Sequence, residues 1–152
     1  MGKSSFNPDR SLLALSNRAS RALTRALNRR FHRAGFETTA EQWSALASLA
    51  REDGQRQRDL AETSGRDRVG VTKIVDALEK RGMVERRRDE QDRRSNRVFL
   101  TSSGKTSQRT LAKIAKQMMA ELEKEIAPRS IDKLAKSFED LIAALETKES
   151  ES

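Results

Sequence analysis

The chain has 152 residues, with 31 Lys+Arg against 23 Asp+Glu, a formal net charge of +8 and no cysteine. That length suits one domain, or one domain with extensions. The absence of cysteine excludes a disulfide framework, a thiolate nucleophile and a cysteine zinc site, and with His32 the single histidine no metal is expected. The basic excess is uneven: residues 1–50 hold 8 basic and 3 acidic residues, 51–100 hold 14 and 11, and 101–152 hold 9 and 9. A polyanion partner suits the first two thirds and a protein partner the last. No apolar run approaches the roughly 18 residues of a membrane span. MGKSSFNPDR lacks the apolar core of a secretory signal. The expectation is a cytoplasmic protein with no membrane partner.

Asn7-Pro8-Asp9 marks a start. A long helix is expected over about 10–34, with Leu12, Ser16, Ala19, Leu23 and Ala26 as an apolar seam. Arg18, Arg21, Arg25, Arg29 and Arg33 lie opposite, within a narrow arc, and Gly35 ends the helix. Thr39 opens a second helix, with Gln42 completing a capping box. Trp43, Leu46, Leu49 and Ala50 form its expected buried face. A short helix follows at about 57–64, then a tight turn at Ser64-Gly65-Arg66. The helix from about 67 to 81 turns Val71, Ile74, Val75 and Leu78 inward, and Gly82 stops it.

Met83–Arg88 and Arg97–Leu100 read as paired strands, with Val98 and Leu100 inward. DEQDRRSN between them is polar enough only for a projecting loop. Thr101-Ser102-Ser103-Gly104 starts a helix that runs to about Ile126, and Pro128 restarts a last one. There Ile131, Leu134, Phe138, Leu141 and Leu145 repeat at steps of 3 and 4, a narrow stripe that wants a partner helix.

The fold class that follows is mainly α with a small β-hairpin wing: a winged helix-turn-helix plus long terminal helices. The expected organisation is an N-terminal dimerisation helix at 1–34, a DNA-binding domain at 35–101, and C-terminal dimerisation helices with a polar tail at 102–152. Residues 38–104 closely resemble the MarR family of bacterial winged-helix regulators. The resemblance is carried by TTAEQW at the second helix and by DL-AETSG-RDRVGVTKIVDALEKRGMVERR across the helix-turn-helix. Above all it is carried by D-x-R-x(5)-LT-x(2)-G, which stands as Asp92, Arg94, Leu100, Thr101 and Gly104. It implies a homodimer with interleaved terminal helices, repression of nearby genes, and relief by a small aromatic or anionic effector. Dimer contacts would then involve Leu12, Ala19 and Leu23 at one end and Ile131, Leu134, Phe138, Leu141 and Leu145 at the other.

A recognition helix inserts its N-terminal half into the major groove, so the readers are expected at about 67–73. Arg68 and Lys73 can reach guanine or phosphate, and Thr72 phosphate or a thymine methyl. Gly70 either lets backbone approach DNA or relieves crowding against the preceding helix. Arg66 stands just before this helix. Arg86, Arg87, Arg88, Arg93, Arg94 and Arg97 load the wing. By the family pattern Arg94 enters the minor groove, where negative potential favours guanidinium, and Asp92 pairs with it. The arginine stripe of the first helix is a solvated face, an anion crevice or a phosphate contact. Arg25, Arg29, His32, Phe36 and Trp43 are the effector-pocket candidates.

Two readings result. One is a sequence-specific double-stranded DNA-binding regulator, a homodimeric repressor on an inverted-repeat operator. The other is a winged-helix nucleic-acid-binding protein without promoter specificity, nucleoid-type or RNA-binding. No nucleophile–base pair, carboxylate dyad or phosphate loop appears, so neither an enzyme nor a cofactor is expected.

Overall fold

The computed structural model describes residues 8–64 and 67–150. A short 3-10 helix, Pro8–Arg10, leads into α1, Leu12–Arg33. Then come α2 (Ala40–Arg51), β1 (Gln55–Arg56), α3 (Gln57–Ser64) and α4 (Arg68–Lys80). β2 (Val84–Arg88), β3 (Asn96–Leu100), α5 (Ser102–Glu125) and α6 (Ser130–Ser150) complete the order. This is the mainly helical winged helix-turn-helix that the sequence leads one to expect. Arg66 and the turn around it fall outside the described residues, as does Asn7.

The chain divides into two compact units, Met1–Ile114 and Ala115–Ser152, and the division falls within α5. In the first unit, Phe31, Leu46, Leu49, Val75, Leu78, Val84 and Val98 are fully buried. α1 contributes Leu27 and Phe31 to this core, four residues apart near its C-terminal end. The N-terminal seam does not join them: Leu12, Ala19 and Leu23 are exposed. On α2 the buried residues are Ala40, Ala45, Leu46 and Leu49. Trp43 is only half-buried and Ala50 is exposed, one register off the expected face. On α4, Val71, Val75 and Leu78 are buried as expected and Ile74 is half-buried.

Local chemistry explains where these elements start. Ser11 caps α1, its hydroxyl accepting from Ala14 N at 3.2 Å. Thr39 and Gln42 form the full capping box of α2. Asp67 caps α4, accepting from Gly70 N at 2.7 Å. Arg81 then rivets the end of α4 to the start of α2, donating to Gln42 Oε1 at 2.5 Å and to Thr38 Oγ1 at 3.4 Å.

The sheet has three strands in the order β1-β3-β2, all antiparallel. The two-residue β1 has no periodicity to announce it, and it forms because Gln55 and Arg56 pair with Val98 and Arg97. The Leu-Thr-x-x-Gly run turns out to be a structural joint. Leu100 is buried. Thr101 Oγ1 donates to Gly82 O at 2.6 Å and accepts from Gly104 N at 3.0 Å, closing the start of α5. Gly104 is required there, because a Cβ would lie 1.9 Å from the carbonyl oxygen of Met83.

In the second unit, α6 has no buried residue. Ile131 and Leu141 are half-buried and Leu134, Phe138, Ile142 and Leu145 are exposed.

Candidate nucleic-acid interface

The cations expected to read DNA lie on two parts of the first unit: the first two turns of α4 and the hairpin β2–β3. Asp67 turns the chain into α4, so Arg68 becomes its first helical residue. Arg68 and Lys73 are both exposed, and neither side chain has a hydrogen bond or ion pair among the described residues. Thr72 differs. Its hydroxyl donates to Arg68 O at 2.8 Å and accepts from Gln57 Nε2 at 2.7 Å. Its one proton is therefore committed inside the helix. The phosphate contact expected of Thr72 is not available in this arrangement, and its methyl is what remains. Gly70, half-buried, adds no side chain to this surface, and its amide bonds to Asp67.

The hairpin register places Arg87 opposite Arg97 and Arg97 opposite Arg56, three cations in a row across the sheet. Like charges directly opposite each other destabilise a sheet. Asp89, 2% exposed, resolves the clash. Its carboxylate accepts from Arg56 Nε at 2.6 Å and lies 3.2 Å from Arg97 Nε. Gln91 N donates to the other oxygen at 3.0 Å. The Gln91 amide, then the two guanidiniums, hold the Asp89 carboxyl below the usual carboxylate range against the opposing pull of burial. Hydrogen bonding and charge from Asp89 raise Arg56 in turn. Arg97 also donates to Gly54 O at 2.9 Å. Arg87 sits over the Phe99 ring, 4.5 Å from its centroid, and pairs with Glu85.

Arg86 points to the opposite face of the sheet. It donates to Gln57 Oε1 at 3.1 Å, to Asp76 Oδ1 at 2.5 Å and to Glu79 Oε2 at 2.5 Å. Arg86, Gln57 and Thr72 thus form one chain of hydrogen bonds from the base of the wing to the recognition helix.

The six wing arginines therefore do different things. Arg86 and Arg97 are internal anchors, and Arg97, expected at the DNA, is partly exposed while held by Asp89 and Gly54 O. Arg88, Arg93 and Arg94 are exposed and have no side-chain partner among the described residues. Asp92 does not pair with the Arg94 guanidinium. Its carboxylate instead accepts from the Arg94 backbone N–H at 3.1 Å, and its carbonyl accepts from Ser95 N at 2.9 Å. Asp92 shapes the tip backbone and leaves the guanidinium free. Arg56, Gln57 and Asp89 were missed by sequence reasoning. The signal for Asp89 was present: an acidic residue in a loop otherwise suited to a polyanion needs a positioning role as much as Asp92 does.

The effector candidates are less gathered. Arg25, Arg29 and His32 are exposed, and Phe36 is half-buried. A crevice along α1 is lined by Leu15, Arg18, Ala19, Arg21, Ala22 and Arg25, so it takes in one of the five. Trp43 packs edge-on against Phe31, ring centroids 5.8 Å apart, and its Nε1–H is buried without an acceptor.

A capped helix carrying free cations at its exposed start, with a two-stranded arginine finger beside it, is the interface of a winged helix-turn-helix DNA-binding protein. Residues 38–96 match the MarR family. On that segment the chain is similar to the MarR family. Similarity to solved structures extends further. The PcaV transcriptional regulator from Streptomyces coelicolor, solved with its natural ligand, is 25% identical, with 95% of this chain and 98% of that one covered at a TM-score of 0.72. The transcriptional repressor CouR, solved on a 23-mer DNA duplex, is 25% identical over 94% of this chain and 99% of that one, at a TM-score of 0.76. MosR from M. tuberculosis, solved with DNA, shares the fold at 22% identity, a TM-score of 0.76, and coverage of 91% and 98%.

Proposed function

We propose that the protein is a homodimeric repressor that reads an inverted-repeat operator in double-stranded DNA and is released by a small anionic or aromatic effector. One observation carries this reading. Within one unit, Arg68 and Lys73 on α4 and Arg88, Arg93 and Arg94 on the wing are exposed and have no side-chain partner among the described residues, while neighbouring arginines are neutralised internally. α4 would lie in the major groove and Arg94 in the adjoining minor groove.

Dimerisation is supported by uncovered apolar side chains. Leu12 and Leu13 on α1 are 57% and 73% exposed, and Leu134 and Leu145 on α6 are each 54% exposed. Clusters of this kind mark association surfaces. Two lobes related by a twofold axis would place half-site centres about one helical turn apart. The orphan Trp43 N–H supports an effector that offers an acceptor, such as a carboxylate, near Phe31 and Phe36. PcaV, bound to its natural ligand, supports the effector, and CouR, a repressor on DNA, supports repression.

The test is fluorescence anisotropy on duplexes from upstream of the protein's own gene, with scrambled duplex as competitor, at about 150 mM salt. Preference of at least about a hundredfold, with two subunits per site, is the expected result. Equal affinity for operator, scrambled duplex and genome-selected fragments would favour the sequence-indifferent reading instead.

A further inference from the structure

α4 is capped so that an apolar side chain near its N-terminus is exposed. Val69 is 64% exposed, two residues beyond the Asp67 cap. At about 100° per residue, Val71, Val75 and Leu78 share one side of the helix, and Val69 and Lys73 project from the opposite side. The side chains flanking this pair leave it clear. Gly70 has none, the Thr72 hydroxyl is committed to Arg68 O and Gln57, and Asp76 is held by Arg86. A solitary exposed valine is ordinary on a protein surface. This one shares the face opposite the buried side of α4 with the exposed cation Lys73.

We infer that Val69 is a specificity-determining residue that packs its methyls on the 5-methyl group of a thymine in each operator half-site. Lys73 lies one turn further on and takes a guanine edge or phosphate beside it. The chemistry is selective: in the major groove only thymine among the four bases presents a methyl, and apolar side chains are what recognise it. Valine suits the role because its β-branch holds one main rotamer in a helix, so little side-chain freedom is lost on contact. The inference rests on the operator-reading function proposed above.

The experiment begins with selection of bound sequences from a random duplex pool using the full chain. Each thymine of the selected site is then replaced by deoxyuridine, which removes the 5-methyl group alone. At one thymine per half-site, wild type should lose about fourfold in affinity for the buried methyl. Val69→Ala should bind the parent site more weakly and be indifferent to deoxyuridine at that same position, while melting as wild type does. If wild type and Val69→Ala respond alike at every thymine, or if the selected half-sites contain no thymine, the inference falls and the operator-reading function stands. A pool that yields no consensus overturns both.

Discussion

Arg94 and Arg97 stand three residues apart and differ in what holds them. Arg94 is exposed with no side-chain partner among the described residues, whereas Arg97 is bound to Gly54 O and Asp89. Arg94→Ala should therefore weaken operator binding by about 1–3 kcal/mol, flatten the salt dependence, and leave the melting temperature unchanged. Arg97→Ala should lower the melting temperature as well as affinity. Anisotropy over a salt series, with thermal melts of the same samples, separates the two, and equal melts would refute the anchor role of Arg97. Asp89 gives a pH-dependent version of this test. Its folded carboxyl is held below the ordinary value, so its contribution is complete above the ordinary carboxylate range and is lost as pH falls through the lowered value. Asp89→Asn should melt below wild type at pH 7, and the gap should close on acidification. A gap that does not narrow between about pH 5 and about pH 2 would mean that shape and not charge holds the loop.

The joint between strand and helix is the sharpest constraint among the elements. Gly104→Ala forces a methyl into the Met83 carbonyl, which sits on backbone and cannot swing away. It should destabilise the first unit by about 1–3 kcal/mol or more, read as a lower urea midpoint. Gly54 is held similarly, with φ +72 and the Phe99 ring 2.6 Å from where a Cβ would sit. The Thr39 capping box, the two strands and the wing loop were legible in the sequence because each depends on residues within a few positions of one another. Thr39 with Gln42, and Val98 alternating with Leu100, are cases. β1 was not legible, because a two-residue strand exists only through its partner. The buried face of α2 was read one register off because Trp43 and Ala50 fit the apolar pattern as well as Ala45 does. Helical period limits the face to an arc, and packing against α1 and α4 chooses within it.

For the whole molecule, the uncovered stripe on α6 is the proposed dimer surface. Phe138→Glu should shift the protein from dimer toward monomer in sedimentation velocity, and operator affinity should fall with it. A dimer that survives this change would remove the stripe from the interface. Because Trp43 is the single tryptophan, its fluorescence reports on one place. Small aromatic acids that release DNA should also change that emission, and release without any change would locate the effector elsewhere.

The sequence by itself determined the class of protein, the winged helix-turn-helix order and the cationic character of its reading surface. These follow from hydrophobic period, caps, glycine stops and a motif spread over nearly forty positions, all of them local. Only the tertiary structure decided which cations are free. Arg86 and Arg94 are indistinguishable in composition, yet one is bound by Gln57, Asp76 and Glu79 and the other is open. The same holds for Asp89, Thr72 and Arg97. A polar group is satisfied by whatever the fold brings within a few ångströms, and for Arg97 the Gly54 carbonyl comes from 43 residues away in the chain.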